Sequence, residues 1–188
     1  MQTIDLDIIG TRPLMQHNAR LADPMDTYTK RLKVLTAKTK KTDDDHAEIA
    51  RAEWEGGLYV DEEGVYVKSD ALECAIRDAA RESRKGKAVV QALRVANETL
   101  RIDYGRPYRG LDELWRNGYW QRDSVKVQTS RIIRTRPIFH TWRTSVTILY
   151  DEARLDRADI IGYAVVAGQY HGIGEWRPKH GTFNVKVA

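Results

Sequence analysis

The stretch 172–181 combines residue types that can bind an anionic polymer. Gly172 and Gly174 follow a predicted buried helix, and glycine lets a ligand approach the backbone while exposing N–H groups to phosphate oxygens. An aromatic ring, two cations and an imidazole come next, at Trp176, Arg177, Lys179 and His180. A Schellman-type helix end would explain the two glycines alone. It would not explain the side chains, which fit the backbone and bases of nucleic acid, so we interpret the stretch as a binding loop.

A second cluster lies on and between two predicted strands, at 125–136 and 141–150. Its members are Arg131, Arg134, Arg136, His140, Trp142 and Arg143. Central strands of RRM-like sheets display aromatic and basic side chains to single-stranded nucleic acid. The alternative is an exposed strand face whose arginines protect a sheet edge. We favour binding, with Trp142 and Trp176 as the two stacking surfaces.

A third basic group, Arg84, Lys85 and Lys87, follows the end of a predicted helix. These side chains could clamp phosphates, but cations at a helix C-terminus are equally expected from the helix dipole. Both interpretations stay open, and we include the three residues among the candidate binding residues.

Charge is distributed unevenly along the chain. The net charge is +4, yet residues 43–73 hold 11 acidic and 2 basic residues, whereas residues 77–143 hold 16 basic and 7 acidic ones. Arginine outnumbers lysine by 20 to 11, and arginine is preferred where planar phosphate contacts or base stacking matter. The alternative is a solvated surface with compensating patches.

Catalytic and metal-binding patterns are weak. The histidines lack a neighbouring nucleophile or paired-residue motif, so we predict a protein that is not an enzyme. The run Asp43-Asp44-Asp45 lacks the alternating spacing and glycine of a calcium loop, and helix capping explains it better. Cys74 lies near the apolar face of a predicted helix and is interpreted as a packed thiol. We therefore predict no metal and no cofactor.

The elements that position these residues follow from periodicity and caps. Residues 3–9 alternate apolar and polar side chains, which predicts a strand with one buried face. Helices are predicted to begin at Asp23-Pro24, Thr42, Ser69 and Asp156. A hairpin is predicted at 58–67 and a final strand at 182–187. The strand at 141–150 alternates cleanly, with Trp142, Thr144, Val146, Ile148 and Tyr150 on one face, whereas a change of parity near residues 132–133 predicts a bulge.

The order of these elements is β-α-β-β-α-β, which predicts an α+β fold with a ferredoxin-like or RRM-like core. Residues 1–188 would form a single domain, with a helical and hairpin insertion at about 19–68 and a second insertion at about 84–122. The chain of 188 residues contains no apolar run of the length needed to span a bilayer. A single cysteine and an N-terminus without a signal-peptide layout lead us to expect a cytoplasmic protein.

The loop at 172–181, placed after the second core helix and before the last strand, resembles the glycine-rich loop of the RAMP superfamily. These are repeat-associated RNA-binding proteins that include the backbone and processing subunits of CRISPR complexes. The segment 11–18, directly after the first strand, is similar to the matching region of some backbone subunits and adds Arg12, His17 and Asn18 to the candidate site. The chain is also similar to small uncharacterised proteins of tailed phages that end in a comparable loop. The resemblance covers about half of the chain and does not explain the acidic insertion.

The resemblance implies non-catalytic binding of single-stranded nucleic acid, RNA more than DNA, in a CRISPR-type or phage ribonucleoprotein. The uneven charge adds the hypothesis of a head-to-tail homo-oligomer, in which the acidic segment 43–73 of one copy would dock on the basic surface of the next, and the resemblance points in the same direction. Two alternatives stay open. One is a phage-encoded factor that mimics or inhibits a host CRISPR complex, and the other is a metal-independent endoribonuclease that uses a loop histidine such as His17 or His180.

Overall fold

The chain folds into helices and antiparallel strands in mixed order, so the predicted α+β class is confirmed. A computed structural model describes residues 1–188 except for the side chain of Val127. The strands are β1 (Gln2–Gly10), β2 (Leu14–Met15), β3 (Val60–Asp61), β4 (Gly64–Lys68), β5 (Leu93–Val95), β6 (Thr99–Arg101), β7 (Trp120–Val127), β8 (Ser130–Phe139), β9 (Arg143–Tyr150) and β10 (Phe183–Val187). The helices are α1 (Thr27–Thr36), α2 (Asp43–Gly57), α3 (Ser69–Glu82), α4 (Gly86–Ala92), α5 (Leu111–Arg116) and α6 (Arg157–Val166).

The alternating segment at the start of the chain forms β1, an inner strand of the main sheet. This sheet has the order β10-β1-β9-β5, and every neighbouring pair is antiparallel. Because side chains alternate along a strand, Ile4, Leu6 and Ile8 all enter the core that α3 and α6 also line. The opposite face carries Asp5 and Asp7, which accept hydrogen bonds from Thr147 and Ser145 of β9. That face therefore carries acidic and basic side chains together, since Arg143 and Lys186 also lie on it.

The neighbour of β9 differs from the prediction. The sequence pairs β9 with the strand that precedes it, but β8 lies in a second sheet of order β2-β8-β7. On the side away from β1, β9 pairs with β5, a strand of three residues, and the register joins Leu93 to Tyr150 and Val95 to Ile148. The predicted second insertion, at about 84–122, thus contains a strand of the main sheet. A three-residue strand is too short to show a period of two.

The predicted strand 125–136 is one half of a long hairpin, β7–β8. The register runs without interruption from Trp120↔Pro137 to Val127↔Ser130, so the predicted bulge is wrong. Pro137 lies inside β8 and does not end it. The N–H of Ile138 donates to the carbonyl of Tyr119. Because successive N–H groups of a strand point to opposite sides, the missing N–H of the preceding residue, Pro137, would point away from β7. A proline is tolerated at such a position.

Helix caps explain where the helices begin. Thr42 and Asp45 form a capping box at the start of α2, as its sequence predicts. The next helix, α3, begins at Ser69 and buries the predicted face, whose members are Leu72, Ala75, Ile76, Ala79 and Ala80. The prediction for α1 is wrong by three residues, because Asp26 and not Asp23 accepts the capping hydrogen bond.

The segment 19–68 forms an arm of helices and a small hairpin beside the main sheet. Helix α1 packs on α2, which in turn packs on β8, and the indole N–H of Trp54 donates to the carbonyl of Tyr119 at 2.8 Å. Strands β3, β4 and β6 form a third sheet. This arrangement holds the hairpin β7–β8 between α2 and the C-terminal loop. In the described part of the chain, each helix is too short or too polar to cross a membrane.

Candidate nucleic-acid interface

The C-terminal loop 172–181 lies on the segment that follows β1. The N–H of Gly181 donates to the carbonyl of Pro13, and the N–H of Glu175 donates to the carbonyl of Met15, both at 2.8 Å. Backbone hydrogen bonds therefore connect two segments more than 150 residues apart. This contact brings His17 close to the side chains of the loop.

The glycines of the loop serve this internal packing. A Cβ on Gly174 would lie 2.5 Å from the carbonyl oxygen of Met15, and Gly174 has a φ of +84°. The N–H of Gly172 donates to the carbonyl of Ala167 at 2.8 Å, which ends the helical segment. Close backbone contacts within the protein thus account for Gly172 and Gly174, and their role in ligand approach stays a prediction.

Trp176 is the centre of the loop. Its backbone has a φ of +59°, a conformation that non-glycine residues rarely adopt and that often accompanies functional sites. The guanidinium of Arg136 lies 5.0 Å from the indole centroid and the ammonium of Lys179 lies 5.1 Å from it. The ring of His180 stacks on the indole at 6.1 Å with an interplanar angle of 11°. A nucleic-acid base can stack on Trp176 only by displacing one of these groups, of which Lys179 is exposed.

Four distant segments meet in one groove, which we call the central groove. Its volume is about 370 Å³. Its polar lining is His17, Glu53, Lys126, Arg134, Thr135, Arg136 and Trp176. The register places the side chain of Lys126 on the opposite face of the hairpin from Arg134 and Arg136. The two arginines outnumber the one acid, so the groove has a net positive charge. Of the predicted residues, the structure thus brings His17, Arg134, Arg136 and Trp176 together.

Glu53 organises the hairpin side of the central groove. Its carboxylate accepts a hydrogen bond from the N–H of Thr135 at 3.0 Å and pairs with the guanidinium of Arg134. Glu53 is buried on α2, and it occupies the edge of β8 where another strand would otherwise pair. The charge of Arg134 is partly neutralised by this contact, whereas Arg136 has only a distant acid, with 3.5 Å between its Nη2 and the Oε1 of Glu175.

His17 lies where two grooves adjoin. It lines the central groove and also a side groove of about 280 Å³, whose lining includes Asp70, Glu175 and Arg177. Partial desolvation lowers the pKa of His17, and Arg136 and Arg134 add to this effect, while Glu175 opposes it. The imidazole is therefore neutral at physiological pH. Arg177 belongs to the side groove, and Arg12 and Lys179 meet outside both grooves, where Nη1 of Arg12 lies 3.4 Å from the carbonyl of Lys179.

Several predicted site residues have other roles. Trp142 is only 3 % exposed, packs edge-on against Phe183 and donates from Nε1 to the carbonyl of Arg12 at 2.9 Å. It is a core residue and offers no stacking surface. Asn18 is also buried, and its amide caps the turn Ala19–Ala22 while donating to the carbonyl of Leu58.

His180 is 7 % exposed, and both of its ring nitrogens are buried without a hydrogen-bond partner among the described atoms. Burial lowers its pKa, and Lys179 and Arg12 lower it further. A buried neutral imidazole beneath Trp176 cannot reach a substrate. An endoribonuclease mechanism would therefore have to rely on His17, and the other histidines do not join it: His171 contacts Glu82 at 3.3 Å.

The remaining basic residues lie elsewhere. Arg131 is exposed near the tip of the hairpin, on the opposite face from Arg134 and Arg136. Arg143 pairs with Asp103 at 2.6 Å and lines a cavity of about 680 Å³ on the open face of the main sheet. The group of Arg84, Lys85 and Lys87 follows the C-terminal end of α3. The side groove lies near the other end of that helix, about 20 Å away at the rise of an α-helix.

Sequence reasoning missed Glu53, Lys126 and a basic segment. Glu53 occupies a buried helical face together with Ala50 and Trp54, and an acid on such a face is a signal for a buried partner. Residues 27–41 contain six basic residues and no acid, and Leu32 of this segment lines the central groove. Among the described side chains, no group of three His, Cys, Asp or Glu is placed to hold a metal ion.

No protein-family model matches this chain, and no curated protein sequence matches it.

Proposed function

We propose that this protein binds single-stranded nucleic acid without catalysis and that the central groove is the middle of its binding surface. The observation that carries the proposal is the convergence of His17, Arg134, Arg136 and Trp176, which come from three separate parts of the chain, in one positively charged groove. Positive grooves with an aromatic ring are the usual means of holding a single strand. The preference for RNA over DNA rests on the RAMP resemblance alone.

The hairpin β7–β8 supplies a second observation in support. Lys126 and Arg131 lie directly opposite each other on neighbouring strands, and like charges in this arrangement destabilise a sheet. An anionic strand between them would remove the repulsion. Asp123 lies opposite Arg134 on the groove face of the hairpin, so the like-charged pair lies on the exposed face, and a strand that contacts it would pass from the central groove around the hairpin.

We further propose that the core is ferredoxin-like. Apart from the arm, the hairpin β7–β8 and the short elements β2, α4, β6 and α5, the order along the chain is β1-α3-β5-β9-α6-β10, and the sheet order is β10-β1-β9-β5. In this arrangement the loop 172–181 occupies the position after the second core helix that the RAMP resemblance predicts. Its contact with the segment 11–18 is also consistent with a shared surface of these two regions.

We also propose assembly into a head-to-tail oligomer, but with fewer acidic residues in the contact than the whole segment 43–73 contains. Many acids of the segment 43–73 pair within the chain, among them Asp45, Glu48, Glu53, Glu55 and Asp61. Exposed acids without an ion pair among the described side chains are Asp43, Asp44, Glu62 and Asp70. A docking contact would therefore depend on these four residues. Charge reversal of Asp43 and Asp44 should abolish any nucleic-acid-dependent increase in size on a gel-filtration column.

The test is a fluorescence-anisotropy titration of labelled RNA and DNA strands of about 30 nucleotides, several times the site size of one binding domain. We expect affinity to fall steeply between about 50 and about 200 mM salt. Lys126→Gln and Arg131→Gln should each reduce the salt slope by about 0.7. Arg154→Gln is the matched control, because Arg154 pairs with Asp151 before α6, outside both grooves.

Absence of binding at low salt would refute the proposal. A pull-down for a protein partner would then follow, since a protein-interaction factor is the main alternative. Cleavage of the RNA during the titration, and its loss in His17→Ala, would instead favour an endoribonuclease.

A further inference from the structure

The central groove has both apolar and cationic lining. Leu21, Leu32 and Val125 are its apolar residues, and Arg134 and Arg136 line it together with the ring of Trp176. A volume of about 370 Å³ lies within the range of about 300–1,000 Å³ that small-molecule pockets occupy. The groove is thus large enough for one small amphipathic ligand and too small for several stacked bases.

Arg136 is the residue whose surroundings point to a missing anion. It is 9 % exposed, and its Nε and Nη1 are buried without a hydrogen-bond partner among the described atoms. Its one acidic neighbour, Glu175, is 3.5 Å away, beyond the 2.7–2.9 Å typical of charge-assisted hydrogen bonds. The contact with Trp176 provides a π face but no hydrogen-bond acceptor.

A buried charge normally has a closely bonded counter-ion, since burying it alone is costly. The buried carboxylate of the neighbouring Glu53 follows this rule through Arg134. Arg136 does not, and it lies at the wall of an open groove. A ligand with a compact negative charge in the groove would supply the close counter-ion that this guanidinium lacks.

We infer that the central groove is a pocket for a single nucleotide, with the phosphate on Arg136 and the base against the apolar residues Leu21, Leu32 and Val125. This inference rests on the proposed function, because the same groove would bind the strand, and it adds that one nucleotide binds in isolation. The phosphate-bearing nucleotide can come from two sources, a free mononucleotide or one unit of a bound strand.

Isothermal titration calorimetry on the full chain tests the inference with adenosine monophosphate, adenosine, inorganic phosphate and a labelled RNA strand. We expect the monophosphate to bind with a sub-millimolar Kd and to compete with the RNA. Adenosine should bind at least about tenfold more weakly, because it lacks the charge that Arg136 recognises. Mononucleotide binding without competition would assign the groove to the free nucleotide, and competition would assign it to both sources.

Two variants and one control test whether Arg136 recognises the phosphate. Arg136→Gln should weaken binding of the monophosphate at least about tenfold. Glu175→Gln should strengthen it by up to about fivefold, because the partial counter-ion of Arg136 is removed. Arg154→Gln is the control and should change nothing. If Arg136→Gln does not fold, the increase expected in Glu175→Gln still decides the question.

Salt-sensitive RNA binding without measurable binding of the monophosphate would overturn the inference and leave the proposed function standing. Equal affinities for adenosine and its monophosphate would also overturn it, since the phosphate would then not be recognised. A failure of both RNA and monophosphate to bind would refute the proposed function together with the inference.

Discussion

Glu53 offers the most informative single perturbation, because it links the stability of the hairpin to the charge of the central groove. We compare Glu53→Ala with Glu53→Gln. The alanine variant removes the acceptor for the Thr135 N–H and the partner of Arg134. The glutamine variant keeps the size and an acceptor oxygen for Thr135 but loses the negative charge.

The expected losses in the free energy of unfolding follow from these contacts. An unpaired buried N–H costs about 1–3 kcal/mol. The ion pair contributes less than about 1 kcal/mol, since the side chain of Arg134 is 40 % exposed. We expect Glu53→Ala to lose about 3 kcal/mol and Glu53→Gln to lose about 1 kcal/mol or less. At about 2–4 °C per kcal/mol for a domain of this size, the Tm should fall by about 6–12 °C in Glu53→Ala and by no more than about 4 °C in Glu53→Gln.

Thermal unfolding followed by circular dichroism measures the loss of stability. Fluorescence anisotropy with one labelled RNA strand measures the change in affinity. Glu53→Gln releases Arg134 to the groove, so its affinity for RNA at low salt should rise. Equal and small decreases in Tm for the two variants would show that the carboxylate does not secure the edge of β8. A loss of affinity in Glu53→Gln would show that Arg134 acts only through its pair with Glu53.

Three further predictions concern the core and the titrating groups. Trp142→Ala should lower the free energy of unfolding by about 3–5 kcal/mol in urea denaturation; a variant as stable as the wild type that no longer binds RNA would contradict the core assignment. Burial lowers the pKa of His180, so its contribution to stability is present above pH 6.5 and is lost as the pH falls below it. In His180→Phe, which keeps a ring against Trp176, the urea midpoint should therefore decrease less between neutral and mildly acidic pH; an unchanged decrease would assign the effect elsewhere. A hydrogen bond from Lys38, with others from Thr42, lowers the pKa of Asp45 to about 2, so its stabilising effect is present above its ordinary value of 3.8 and is lost as the pH falls toward 2. Asp45→Asn should lower the Tm at neutral pH and bring the variant closer to the wild type near pH 2, whereas a pH-independent difference would exclude the charge as the cause.

Local patterns predicted the elements that local physics determines. The alternation of Ile4, Leu6 and Ile8 gives β1, and the capping box of Thr42 and Asp45 gives α2. The predicted alternation of buried and exposed side chains along β9 is also confirmed, and it places Trp142 on the same face as the buried residues Val146 and Ile148. This alternation alone indicates that Trp142 belongs to the core, so the predicted stacking role is inconsistent with the pattern of the strand.

Features that depend on distant contacts could not be read from the sequence. The pairing of β5 with β9 involves only three residues, whose apolar character resembles many other short runs. The burial of Arg136 depends on Trp176, which is 40 positions away and reaches it only through the fold of the C-terminal loop. The roles of Gly172 and Gly174 likewise depend on backbone contacts that become evident only in three dimensions.

The pairing of β1 has a consequence for the order of events during biosynthesis. Both neighbours of this strand, β9 and β10, emerge from the ribosome more than 130 residues after it. Loop closure over such separations slows folding, so the apolar face of β1 is left uncovered while most of the chain is translated. The central groove, which needs the loop 172–181 on the segment 11–18, can form only after that final stretch has emerged. The proposed nucleic-acid binding should therefore be absent from nascent chains that still lack residues 172–181.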